Sequence, residues 1–311
     1  MVFIMFSGEF IVDFNEYVGD FDLILTMNSG QTSQPPWKMD DNNYYEIILI
    51  DNIDVLVKIS QEKLNDPLIV KYFSKEEFNV EKLRTKLFYI FDLDYNINEV
   101  YDFLEENSQL SDVYEFNRGL RLFKSQFPFE CIISSICSAN NSIKRWTKSL
   151  YDIRRFCGRS VVFGKDTYYV FPREEVFINM SLDELKNCGV GYRNKYMLNS
   201  TEKIRDSIDF HENIFKLSYK KAYNEIIKLE GVGPKVADCI LLYGYNKHEA
   251  YPVDVWINRI TTYLYFKNQK VSNGKISSFA HETFGMYAGY IQLYLFNYAR
   301  LSGLMSKLKE I

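Results

Sequence analysis

The sequence predicts an α+β chain: an antiparallel β-sheet domain first, then a mostly α-helical domain. Three observations carry this. Apolar residues alternate with polar ones in the first third, the remainder follows helical spacing, and two helical patterns meet at a pair of glycines late in the chain. A length of 311 residues leaves room for two packed domains, which we place at 1–115 and 116–311. With 47% hydrophobic and 16% aromatic residues the chain is globular, not disordered.

In the first third, Phe21-Asp-Leu23-Ile-Leu25-Thr-Met27 alternates, as does Tyr45-Glu-Ile47-Ile-Leu49. Asp51-Asn52 signals a turn, and Val55, Val57 and Ile59 resume the alternation. Each stretch reads as a strand. From Gln61 to about Ser111 the pattern turns polar and helical, through Leu64, Leu68, Tyr72 and Phe73, then Val80, Leu83, Leu87 and Phe91. This reads as a helical connector.

The second part opens with an apolar helix, Cys131 to Cys137, interrupted by Ser138-Ala-Asn140-Asn141-Ser142 and resumed at Ile143, Trp146 and Leu150. Short polar side chains compete for backbone hydrogen bonds, so they mark a break at the surface. Ser181-Leu-Asp-Glu184 is a capping box. Gly189-Val-Gly191 follows, and the turn presents Tyr192 and Arg193 together.

The stretch from Leu229 to Trp256 holds the chemistry. Ser218 is a plausible N-cap for a helix through Ala222, Ile226 and Leu229. Gly231-Val-Gly233 permits a sharp turn with positive φ, and Pro234 suits the first position of a second helix. Such a helix–hairpin–helix points backbone amides outward, where they hold phosphate without reading sequence. Lys235 falls in the first turn, with Asp238 and Cys239 at i+3 and i+4, so the three can share a face. The positive end of the helix dipole disfavours a protonated lysine, and a neutral amine is a nucleophile and Schiff-base former. Asp254, after Pro252, is a natural N-cap whose carboxylate can face a developing cation. Near the C-terminus Gln292 and Phe296 stand four apart and share a helical face.

Composition excludes several classes. Five scattered cysteines read as reduced, buried thiols, and none clusters after Asp254 as an iron–sulfur centre requires. Three histidines lack zinc-ligand spacing. No apolar run nears a membrane span, and the opening Met-Val-Phe-Ile-Met-Phe lacks a basic leader, so no signal peptide is expected. The expectation is an intracellular protein. A net charge of −4 argues weakly against DNA binding, but basic residues gather at Arg118, Arg121 and Lys124, at Lys144, Arg145 and Lys148, and at Arg193 and Lys195.

Lys235 followed by Pro252-Val-Asp254 resembles the helix–hairpin–helix (HhH-GPD) DNA glycosylase superfamily in its bifunctional branch. The region from about Phe127 to Leu301 is similar to 8-oxoguanine DNA glycosylases. The resemblance implies a base-flipping glycosylase with AP-lyase activity that acts on duplex DNA containing 8-oxoguanine, as a monomer and without a cofactor. Lys235 would be the nucleophile and Asp254 the stabiliser of the cationic sugar. Met27-Asn-Ser29-Gly30-Gln31 resembles the family's Ser-Gly-Gln turn, where the glycine carbonyl accepts from the N7–H that guanine lacks. By the same resemblance Gln292 reads the base edge while Phe296 and Cys239 cover its two faces. Asn140 would fill the vacated stack, Tyr192 would wedge it, and Arg145 and Arg193 would read the opposite cytosine. Gly231 and Gly233 would grip phosphate. Three positions depart from the pattern: Thr32-Ser-Gln-Pro-Pro-Trp37 replaces a Phe-Arg-Trp, Trp256 replaces a histidine that contacts phosphate, and Ala299 replaces an aspartate. Two alternatives keep the scaffold: a monofunctional alkylpurine glycosylase, which needs no lysine, and a non-catalytic DNA binder.

Overall fold

The sheet is built from β1 (Phe6–Val12), β2 (Lys38–Asp40), β3 (Asn43–Ile50), β4 (Ile53–Ser60) and β5 (Leu68–Ser74). Its order is β1-β5-β4-β3-β2, with every neighbouring pair antiparallel. The structure, a computed structural model, describes residues 5–41, 43–107 and 109–308. Met1 to Ile4, part of the opening stretch read for a signal peptide, lie outside the described residues. Asp51 and Asn52 form a tight turn, both with positive φ (49° and 68°), and this sets Ile50 opposite Ile53.

Two expectations fail here, for one reason. Phe21–Met27 is not a strand: helix α1 spans Leu23–Asn28, opened by Asp22, whose carboxylate accepts from Leu25 N at 2.8 Å. It buries Leu23, Thr26 and Met27, a three-to-four spacing hidden inside the apparent alternation. Conversely Leu68–Ser74 is not helical but is the strand between β1 and β4. Residues four apart share a face in either structure, so Leu68 and Tyr72 could not decide between them. Helix α2 (Val80–Ile90) is helical as expected, and its Leu83, Leu87 and Ile90 pack on Val55, Val57 and Ile59 of the sheet.

The helical part follows in order: α3 (Asn98–Glu105), α4 (Ser111–Phe116), α5 (Pro128–Ser138), α6 (Ile143–Cys157), a hairpin of β6 (Arg159–Phe163) and β7 (Asp166–Val170), α7 (Glu174–Phe177), α8 (Leu182–Asn187), α9 (Asn194–Arg205), α10 (Phe210–Lys216), α11 (Tyr219–Ile226), α12 (Pro234–Tyr245), α13 (Val255–Tyr265), α14 (Asn273–Phe284), α15 (Ala288–Leu301) and α16 (Leu304–Lys307). Helix α12 is the spine, buried at every residue from Val236 to Tyr245. Helices α3 and α4 lend Val100, Leu104 and Val113 to this same core, although they precede residue 116. The β6–β7 hairpin reaches back to the sheet, where Val161, Phe163 and Val170 meet Ile47 and Leu56. All five cysteines are free, and only Cys157 is partly exposed. No helix among the described residues is long and apolar enough to cross a membrane.

Buried charge joins the two parts. Asp92 accepts from Lys124 Nζ at 2.6 Å, from His248 Nε2 at 2.8 Å and from Tyr290 OH at 2.7 Å. Arg121, expected among DNA-facing basic residues, is fully buried and donates to the carbonyls of Asp20, Asp92 and Tyr95. Lys124 is buried too, and the third member, Arg118, is exposed but pairs with Asp20 at 3.0 Å. On the other flank Arg154 bridges Glu46 of β3 and Glu130 of α5 at 2.7 and 2.8 Å. Burial pushes the Glu130 carboxyl up to about 7, against the pull of Arg154.

Burial alone would raise the Asp92 carboxyl, but Lys124 and His248 outweigh it and hold it well below the usual carboxylate range. A depressed carboxyl stabilises the fold fully above its unfolded pKa, and that stability is lost as pH falls through and below about 4. Asp92→Asn is expected to cost about 3–5 kcal/mol at pH 7, because it leaves Lys124 buried without its carboxylate. Urea melts should also show that this variant loses less further stability than wild type between pH 6 and pH 3; equal slopes would deny Asp92 this role.

Candidate active site

The hairpin forms where α11 gives way to α12. Gly231 has φ 75°, and a Cβ there would come within 2.7 Å of Tyr196 Cβ, so only glycine fits. Gly233 is extended (φ −90°), so the expected positive φ is needed at one glycine and not both. Ser218 occupies the N-cap of α11 but makes no capping hydrogen bond. Helix α9 braces the turn, with Ser200 Oγ donating to Glu230 O at 2.9 Å and Lys203 Nζ to Lys228 O at 2.7 Å. No side chain caps the first amides of α12, which leaves a helix N-terminus open to an anion.

Beside this terminus lies a cavity of about 680 Å³. Lys235 and Cys239 enter it from α12, Asp254 and Trp256 from the start of α13, and Gln292 and Phe296 from α15. Lys235 is half-buried. Asp254 Oδ1 accepts from Ile257 N at 2.8 Å, so the cap that opens α13 also fixes the carboxylate at the cavity wall. Gln292 is buried, and its Oε1 has no hydrogen-bond partner among the described residues. An orphaned buried acceptor on a cavity wall suits a polar ligand. Tyr243 also lines the cavity; it extends the Lys235–Cys239 spacing by one more turn, a signal present in the sequence.

Asp238 does not join them. It is buried behind α12 and accepts from Tyr219 OH at 2.6 Å; burial pushes its carboxyl up to about 7, with the tyrosine bond working against it. Adjacent helical residues are about 100° apart, so Cys239 and Asp238 diverge while Lys235 follows Cys239.

Gly30 also lines the cavity, with φ 80°. Its neighbour Gln31 locks the turn, donating to Ser29 Oγ (2.9 Å) and Arg121 O (2.8 Å) and accepting from Phe123 N (2.8 Å). Ser134 of α5 donates to Thr32 O at 2.8 Å. The altered segment after Gly30 is therefore fixed from two sides, and Thr32 itself reaches the cavity.

The break between α5 and α6 supplies the rim. Asn140 sits there with φ 49° and lines the cavity. Ser142 Oγ caps α6 by accepting from Arg145 N at 3.3 Å, and the Arg145 side chain is exposed. Tyr192 is 60% exposed and rests edge-on against Tyr196, so it projects from the surface. Arg193 differs from expectation. It is buried, and its guanidinium donates to the carbonyls of Ala139 (3.0 Å), Asn140 (3.2 Å) and Val190 (3.3 Å), so here it holds the asparagine turn in place. The Arg259 guanidinium lies over the Trp256 ring, 5.3 Å from its centre. A second cavity, about 610 Å³, opens near β6 and α7 between Phe127, Phe129 and Phe171. Burial pushes the thiol of Cys157, which lines it, up to about 12.

Comparison with known proteins identifies the family. Residues 13–132 match the family model of the 8-oxoguanine DNA glycosylase N-terminal domain, and residues 133–284 that of the HhH-GPD superfamily base excision DNA repair protein. The chain is 39% identical to a probable N-glycosylase/DNA lyase of Methanothermobacter thermautotrophicus, over 94% of this chain and 98% of the relative. It is 27% identical to the N-glycosylase/DNA lyase of Saccharomyces cerevisiae, over 76% of this chain and 66% of that one. Among solved structures it is similar to the Clostridium acetobutylicum 8-oxoguanine glycosylase/lyase bound to double-stranded DNA with cytosine opposite 8-oxoG. The TM-score is 0.82 at 28% identity, covering 96% of this chain and 98% of that one. The chain belongs to the HhH-GPD superfamily of base excision DNA repair proteins, within its 8-oxoguanine DNA glycosylase branch.

Proposed function

We propose that this DNA N-glycosylase/lyase excises 8-oxoguanine from duplex DNA by base flipping, with Lys235 as nucleophile and Asp254 as the carboxylate that meets the developing sugar cation. One observation carries the reading: Gly30, Lys235, Cys239, Asp254, Gln292 and Phe296 all wall a single cavity. Phosphate oxygens would bind the amides from Gly231 into α12, with Trp256 beside them. Tyr192 would wedge the stack, Asn140 would fill the gap, and Arg145 would reach the orphaned cytosine. Arg193 would support Asn140 from behind, as its carbonyl contacts suggest.

In the cavity Phe296 and Cys239 would flank the base, and Gln292 would pair with its edge. The Gly30 carbonyl would accept from N7–H, a donor that guanine does not possess, so guanine would leave the carbonyl unpaired. The Lys235 amine then attacks C1′ as the glycosidic bond breaks, and the base departs with its electron pair and takes up a proton. Sugar-ring opening gives an imine to Lys235. Loss of a C2′ proton then expels the 3′ phosphate by β-elimination. Asp254 acts on the cationic character at C1′, much as carboxylates do in glycoside hydrolysis. We further propose that the protein acts as a monomer inside the cell.

Borohydride is expected to trap wild-type protein on 8-oxoguanine DNA, while Lys235→Gln yields no adduct. Adduct in that variant would move the nucleophile elsewhere, and wild-type scission of 3-methyladenine DNA instead would favour an alkylpurine glycosylase.

Asp254→Asn keeps a capping side chain. It should lower single-turnover excision by about 10²-fold or more while lesion-DNA affinity stays near wild type. If affinity and helicity fall together, Asp254 is a cap and nothing else.

A further inference from the structure

Helix α15 carries more than the two residues assigned to the base. Gln292, Phe296 and Arg300 follow one another at four-residue spacing and so lie along one face. The first two line the cavity, and the third continues the line to the Gly30 turn. Arg300 NH2 donates to Asn28 O at 2.7 Å and to Asn297 Oδ1 at 3.0 Å. Its NH1 lies 3.4 Å from where a Cβ on Gly30 would stand. The guanidinium therefore rests directly against the turn that faces the base.

This contact is anchored at both ends. Asn297 is fully buried and donates to Asn117 Oδ1 at 2.8 Å, and Asn117 donates in turn to Val113 O and Tyr294 O. On the other side, Ile143 Cδ1 lies 2.8 Å from the same would-be Gly30 Cβ, so the turn is pinned between α6 and α15. Among the described residues Arg300 makes no ion pair, since its guanidinium donates to Asn28 O and Asn297 Oδ1. Ala299, where the family resemblance leads to an aspartate, gives no counter-charge, and burial alone lowers the Arg300 pKa. Arg300 Nε is enclosed with no hydrogen-bond partner among the described residues. A half-buried cation with no carboxylate beside it among the described residues costs stability, and proteins keep such features where function requires them.

We propose that Arg300 is a specificity-determining positioning residue: it holds the Asn28–Gly30 backbone against the wall that carries Gln292 and Phe296, so that the Gly30 carbonyl meets N7–H of the oxopurine at bonding distance. The inference rests on the proposed role of Gly30. Without Arg300 the turn relaxes away from α15, and the carbonyl no longer selects the lesion. An abasic site has no base to read, so Lys235 should process it as before.

The test compares Arg300→Met, which keeps the stem and removes every donor, with Arg300→Lys, which keeps charge and one donor head. Each is assayed in single turnover on 8-oxoguanine opposite cytosine, and by borohydride trapping on a preformed abasic site. Arg300→Met should slow lesion excision by about tenfold or more, the scale on which a lost pairing is felt. Abasic-site trapping should be unchanged, and Arg300→Lys should recover part of the excision rate. Full-rate excision by Arg300→Met overturns the inference alone. So does equal loss on both substrates in both variants, which would make Arg300 a residue of the general fold. A wild-type protein that traps on abasic DNA but leaves 8-oxoguanine in place would overturn the functional reading and this inference with it.

Discussion

One buried carboxylate ties together the elements from which the cavity is built. Asp92 receives Lys124, His248 and Tyr290 at hydrogen-bond distance. Lys124 ends the stretch that Gln31 clamps, so it leads to the Gly30 turn. His248 follows α12, the helix of Lys235 and Cys239, and its carbonyl accepts from Gly289 N at 2.8 Å. Tyr290 stands two residues before Gln292 on α15. Three walls drawn from distant parts of the chain thus meet at a single group. A fully paired buried charge network fixes one arrangement, because any shift leaves a charge unsatisfied.

On that frame a single helix does two jobs. The open N-terminus of α12 presents amides to a phosphate in the proposed mechanism, and the side chains of its first turns enter the cavity beside it. In the proposed mechanism, grip and chemistry therefore share one rigid element, and backbone binding sets the distance from Lys235 to the sugar. The same economy holds at Asp254, where the cap of α13 doubles as the proposed electrostatic partner of the sugar. Catalysis by preorganised charge requires groups that need not move when the reaction occurs.

Much of this was legible in the sequence, and the failures have physical causes. The glycine hairpin, the Asp254 cap, the Ser181–Glu184 capping box and the Asn140 break all follow local backbone rules, and local rules are written locally. Periodicity is ambiguous at α1 and β5, where residues four apart suit either structure, although Asp22 offers α1 a cap. The burial of Arg121, Lys124 and Arg193 was invisible, because it depends on carbonyls and carboxylates supplied from afar. Asp238 illustrates the limit of face counting: three residues beyond Lys235 was close enough to suggest partnership, yet Tyr219 claims it from the other side. Arg300 escaped notice although its spacing from Phe296 repeats that of Gln292, since its partner Asn28 lies in a loop far back in the chain.

In the proposed mechanism one amine, on Lys235, becomes covalently joined to the sugar. Protein reduced by borohydride during turnover on 8-oxoguanine DNA can be digested with nuclease and protease and its peptides mapped by mass spectrometry. The account predicts the sugar remnant on the Lys235 side chain alone. A remnant on another lysine, or on the N-terminal amine, would contradict it.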